Sequence, residues 1–149
     1  MRVSDVGIAM IKQFEGFRSK PYYCPSGVPT IGYGRTDGVT MDHPAVTEAE
    51  ATKMLADDLA FYEFRVDSAV KVPLSQNEFD ALVSLVFNIG VMAFRSSTLI
   101  RYLNAGNRAA AAGEFHKWNK GRSGGSLVEL PGLSKRRAEE RVLFEGREQ

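Results

Sequence analysis

The chain has 149 residues, 44% hydrophobic and 25% charged, which fits one soluble domain or two small lobes sharing a core. Its 19 Lys and Arg against 18 Asp and Glu leave a formal net charge of +1, so nothing in the bulk charge draws it to nucleic acid. A single cysteine excludes an internal disulfide and fits folding in a reducing compartment.

The segment SDVGIAMIKQFEGF predicts a first helix over 4–15. Ser4 can cap it, Asp5 suits the positive end of its dipole, and Ile8, Ile11 and Phe14 recur on one face. Gly16 is a natural stop, which leaves Glu15 on the last turn beside an apolar stripe. Residues 17–44 change character. Gly27, Gly32, Gly34 and Gly38 punctuate short runs such as PTIGYG, predicting a small antiparallel sheet with TDG at 36–38 as its hairpin tip. That sheet is too small to stand alone.

From 47 the helical period returns. Thr47 and Glu50 form a capping box, and Met54, Leu55, Leu59, Tyr62, Val66 and Val70 follow at three- and four-residue spacing. A helix reaching Val70 would be about 36 Å long, enough to bridge two lobes. Pro73 ends it. A second box, Ser75 with Glu78, opens NEFDALVSLVFNIG, whose apolar residues cover most of the circumference and predict a helix buried on nearly all sides. Gly90 closes it. Shorter helices are expected in SSTLIRYLNAG and NRAAAAGEFHKWN, then a flexible GRSGGS, then a last helix in SKRRAEERVLFEG. The expected architecture is α+β in one domain over 1–149. An N-terminal sheet lobe (about 15–60) joins through the long helix to a helical C-terminal lobe (about 71–149). Helix 4–15 packs on the latter, with a cleft between the lobes.

A carboxylate at a helix C-terminus meets the negative end of the dipole, and Ile11, Phe14 and Phe17 add desolvation. Both favour keeping a proton on Glu15, which suits a general acid. A surface ion pair with Arg18 or Lys20 is the plainer alternative.

The spacing adds a second signal. Glu15, Cys24 and Thr30 reproduce E-x8-[D/C]-x5-T, and Thr30 runs into IGYG. This resembles the phage-type lysozymes, or endolysins, of glycoside hydrolase family 24. FDALVSLVFNIG at 79–90 looks like that family's buried central helix, FRSSTL at 94–99 like the segment after it, and GLSKRRAEERVLF at 132–144 like its closing helix. The resemblance spans nearly the whole chain in the right order and implies a lysozyme-like fold.

It also implies chemistry. A peptidoglycan glycan strand would lie in the cleft with a β-1,4 bond over Glu15, which would protonate the leaving oxygen. Water held by Thr30 and residue 24 would attack from the other face, with inversion. Cys24 departs from the two-carboxylate scheme: it can act as a thiolate in place of Asp, as a thiol that orients water, as a nucleophile, or merely as a small packed side chain. Asp37, near the expected hairpin tip, is set aside as too distant. Phe87 matches the inner wall of the cleft or packs in the core. Ser97 matches a sugar-contacting serine or caps a helix. Arg137 matches an arginine that pairs with the glutamate across the cleft. Arg35 stands where the family often has a His that supports the sheet through a carboxylate, which puts that contact in question. Trp118 is expected in the core. His43 and His116 lack partners at metal spacing, so neither metal nor cofactor is expected.

Two other readings stay open. A lytic transglycosylase needs Glu15 alone, and a non-catalytic wall-binding module would keep the fold without the activity. No apolar run approaches the roughly 20 residues of a membrane span, and "VGIAMI" is shorter than a secretory h-region. The resemblance therefore implies a monomer that accumulates in the host cytoplasm and reaches the cell wall, in the periplasm, through a holin-type membrane lesion. No stable membrane insertion and no nucleic-acid partner are expected.

Overall fold

The computed structural model describes residues 1–147. Among the described residues, seven helices and two two-stranded antiparallel sheets give an α+β fold: α1 (Asp5–Glu15), β1 (Arg18–Tyr23), β2 (Pro29–Gly32), α2 (Glu48–Ala69), α3 (Gln76–Ile89), α4 (Val91–Arg95), α5 (Thr98–Asn104), α6 (Arg108–Glu114), a 3-10 turn (Phe115–Trp118), β3 (Lys120–Ser123), β4 (Ser126–Glu129) and α7 (Pro131–Phe144). Among the described residues no helix is long and apolar enough to cross a membrane.

Local chemistry sets the helix ends. The Ser4 hydroxyl accepts from Gly7 N, and both capping boxes form, Thr47 with Glu50 and Ser75 with Glu78. Helix α3 is the core. All nine side chains from Glu78 to Val86 are buried, and each large apolar one contributes about 1.5–3 kcal/mol on burial. That outweighs any single polar contact, so α3 holds the other helices in place. Helix α1 lies on α3 at backbone distance, because a Cβ at Gly7 would come within 2.8 Å of Asp80 Cγ. Asp80 is itself fully buried. It accepts from Ser4 N (3.0 Å), the Ser4 hydroxyl and Gln76 Nε2 (2.8 Å). This clamp at the start of α1 sets where its other end, Glu15, arrives.

Two turns differ from expectation. The β1–β2 hairpin tip is 24–28, closed by Cys24 N donating to Val28 O (3.0 Å) and Gly27 N to Cys24 O (2.8 Å). TDG at 36–38 is a separate surface turn, since the chain has already reversed at Gly34 (φ 90°) after β2 and formed the Ile31–Arg35 bridge. The GRSGGS segment belongs to a hairpin instead of a flexible linker. Ser123 faces Ser126 across Gly124 and Gly125, whose φ values of 58° and 83° suit a two-residue turn needing left-handed backbone at both positions. Helix α7 consequently starts at Pro131, earlier than Ser134.

Candidate active site

Glu15 ends α1 with its side chain 21% exposed, and Arg136 Nη1 of α7 donates to its Oε2 at 2.7 Å. The guanidinium is locked from behind. Arg136 is 4% exposed and also donates to Glu140 Oε2 (3.1 Å) and Ser84 O (3.1 Å). The Ser84 hydroxyl donates to Glu140 Oε2 at 2.6 Å. Burial pushes the Glu140 carboxyl up, opposed by the two guanidiniums facing it. Arg136 and Arg137 thus place two cations against one buried anion, and Glu15 supplies the second.

The pairing corrects the sequence expectation. Arg137 does not meet Glu15. It is completely buried, donates to Glu140 Oε2 (3.1 Å) and Trp118 O (3.2 Å), and cannot touch a substrate. Its Nε lies 2.6 Å from Glu140 Oε1 but off line, so that contact is Coulombic and not a directed hydrogen bond. Burial pushes its guanidinium down. Neighbouring helix positions point about 100° apart, so a displacement of one residue exchanges the arginine that meets Glu15 for the one that does not.

Gly34 faces the other carboxylate oxygen. A Cβ there would crowd Glu15 Oε1 at 3.1 Å, and φ is +90°, a backbone conformation that favours glycine. Its flanks are tied to α2. The Tyr33 hydroxyl donates to Glu48 Oε1 (2.9 Å), which Lys12 of α1 also reaches (2.7 Å). Lys12, Tyr33 and Thr52 hold the Glu48 carboxyl down at about 2, while burial and that carboxylate push the Tyr33 phenol up. Arg35 grips Asp58 through Nε (3.2 Å) and Nη2 (2.9 Å) and donates to Met54 O (3.1 Å). The carboxylate support that a missing His put in question is therefore present, made by a guanidinium.

Beside Gly34 runs a groove of about 220 Å³ lined by Asp37, Asp58, Phe61, Tyr62 and Phe87. Phe87 is partly buried and packs edge-on against Tyr62 at 5.2 Å. Tyr62 lies close enough to Asp58 and Glu15 that their charges add to burial in pushing its phenol up. Asp37, set aside on sequence grounds, lines this groove. The chain reversal at Gly34 carries it there.

Cys24 and Thr30 meet at the hairpin tip. Val28 O accepts from both Cys24 N (3.0 Å) and the Thr30 hydroxyl (2.9 Å). Cys24 Sγ lies 3.0 Å from Ser26 Oγ. Hydrogen bonds from the Ser26 side chain and the Val28 backbone lower the thiol from 9.0 to about 7, so thiolate is abundant near neutrality. Thr30 is 3% exposed, and its donated proton leaves its oxygen free only to accept.

Ser97 does not join the site. It is buried, caps α5 by accepting from Ile100 N (3.2 Å), and donates to Phe94 O (2.7 Å), so its one proton is spent inside the fold and it takes the helix-cap alternative. Trp118 is partly buried against the core.

Residues 12–140 match the family model described as "Phage lysozyme". The chain is 43% identical over 145 residues to the endolysin of Acyrthosiphon pisum secondary endosymbiont phage 1, covering 97% of this chain and 99% of that one. It is 46% identical over 149 residues to the endolysin of Bacillus phage B103, covering 97% of this chain but 54% of that relative, so it spans about half the length of the latter. Among solved structures it superposes on an endolysin from Escherichia coli O157:H7 phage FAHEc1 with TM-score 0.89 and 41% identity, covering 97% of this chain and 93% of that one.

Proposed function

We propose, from the premise that this chain belongs to the phage lysozyme family and is a lysozyme-type glycoside hydrolase, that Glu15 is its general acid. The proposed reaction breaks the β-1,4 bond between N-acetylmuramic acid and N-acetylglucosamine in peptidoglycan, as a phage or prophage endolysin would to lyse its host.

The observation that carries this reading is the disposition of the two Glu15 oxygens. Oε2 accepts from Arg136, while Oε1 faces Gly34 across a space that a Cβ would fill at 3.1 Å. The missing side chain leaves Oε1 uncrowded on that flank, open to a glycosidic oxygen approaching from the groove. With Oε2 tied to the guanidinium, Oε1 is the oxygen left to deliver a proton. As it moves to the leaving oxygen, positive charge develops at the anomeric carbon. Water on the opposite face attacks, held by the Thr30 hydroxyl, with the Cys24 sulfur supplying negative charge and accepting its proton. The outcome is inversion. Phe87 and Tyr62 give the sugar an apolar wall.

The cycle needs neither metal nor cofactor and one copy of the chain. The protein accumulates in the host cytoplasm and reaches the wall through a membrane lesion made by a holin-type partner. Mass analysis of fragments from purified murein tests the reaction type. Hydrolysis leaves reducing-end N-acetylmuramic acid, whereas 1,6-anhydro ends would show that the substrate's own C6 hydroxyl attacks and would overturn the water-based scheme.

A further inference from the structure

A cavity of about 700 Å³ lies where the C-terminal part of α2 meets α4 and α5, lined by Arg65, Lys71, Arg95 and Arg101 and, among the described residues, by no acidic one. In a chain of net charge +1, four cations around one cavity is a strong local imbalance. Among the described residues none of the four forms an ion pair. Helix ends account for part of the cluster. Lys71 Nζ donates to Ser68 O (2.8 Å), and Arg95 and Arg101 occupy the last turns of α4 and α5, where carbonyl ends attract positive charge. Arg65 is different. It precedes the last turn of α2, and its Nε is buried without a hydrogen-bond partner, a state that costs free energy unless something accepts from it.

The rim is built in advance. Asn104 accepts from Lys71 N (2.7 Å) and donates to Ala69 O (3.0 Å), stapling the end of α2 to α5. The Arg65 guanidinium lies over the Phe61 ring at 4.9 Å, and Phe61 lines the groove beside Gly34. The cavity and the groove are thus neighbours along one helix.

We infer that this cavity is a binding site for phosphate esters, adjacent to the glycan groove and separate from it. Three guanidinium forks and one ammonium match a group with several anionic oxygens around a tetrahedral centre better than a lone carboxylate. The volume admits more than a single ion. A phosphodiester polymer of the wall or an acidic phospholipid headgroup would supply the same chemistry and hold the protein against the envelope while the groove takes glycan.

Titration of the full chain with inorganic pyrophosphate at fixed ionic strength, followed by amide NMR, tests the site. Saturable shifts concentrated in 65–71 and 95–105 are expected, with affinity falling about tenfold in the Arg95→Gln/Arg101→Gln variant. Both arginines are exposed, and an unchanged unfolding midpoint checks the fold. Lys71→Gln, expected to weaken binding severalfold, replaces the pair if it unfolds. Co-sedimentation with phosphatidylglycerol against phosphatidylcholine vesicles, alongside poly(glycerol phosphate) titration, assigns the source; a response to either polyanion supports the site. Shifts spread over all surface lysines, unchanged affinity in the variant, or equal affinity for citrate would overturn it.

Discussion

Arg136 Nη1 stands 2.7 Å from Glu15 Oε2 across 121 positions of chain, and the same guanidinium neutralises Glu140, which is wholly buried. Removing it breaks the buried contact with Glu140 and leaves that carboxylate facing Arg137 alone. Arg136→Met is therefore expected to cost about 1.5–3 kcal/mol, measured by urea unfolding. Arg136→Lys keeps the charge but loses the fork, so it should fold better than Arg136→Met and still lyse walls far more slowly than wild type.

Gly34 separates strain from site chemistry. Gly34→Ala and Gly38→Ala both force a side chain to positive φ (90° and 70°), but only position 34 meets Glu15, at 3.1 Å. Each should lose about 1–3 kcal/mol. Lysis should fall about 100-fold in Gly34→Ala and stay near wild type in Gly38→Ala, read as the clearing rate of a peptidoglycan suspension.

The Cys24 thiol gives a pH signature. Its folded value of about 7 lies below the ordinary 9.0, so the folded state favours thiolate. The resulting stability is present above 9, declines as pH falls through that window, and is lost below about 7. Alkylation of Cys24 should show a midpoint near 7, moving upward in Ser26→Ala. If thiolate charge serves catalysis, lytic activity should gain with pH through the same midpoint in wild type, with that limb absent from Cys24→Asp.

Arg35 and Asp58 are each about one quarter exposed, so solvent screens their bidentate pair only in part. Arg35→Ala should cost about 1–2 kcal/mol in urea unfolding. It should also slow lysis, because the clamp aims Gly34 at Glu15.

The fold was legible where one residue does one local job. Ser4, Thr47 and Ser75 announced helix starts, Gly16 and Gly90 announced stops, and the apolar circumference of α3 announced its burial. Strands β3 and β4 were not, because nearly every position is exposed and no apolar alternation marks them. The Gly124–Gly125 pair was the available signal. Around the candidate site, Glu15, Cys24 and Thr30 stand at the spacing of the family that the chain resembles. The choice of Arg136 over Arg137 depends on the rotation of a helix whose start lies in that unmarked hairpin, and Ser97 depends on which of two hydrogen-bonding jobs wins. The Arg65 cavity has no linear signature, since its cations come from three helices and the segment after α2.

Glu15→Gln keeps the shape and hydrogen-bonding reach of the side chain but removes the proton it would deliver. The decisive measurement compares soluble fragments released from purified murein by wild type and by this variant, at equal folded concentration. Wild type should release fragments ending in reducing N-acetylmuramic acid, and the variant essentially none. Equal release by both would show that the acid acting on the bridging oxygen is not at position 15.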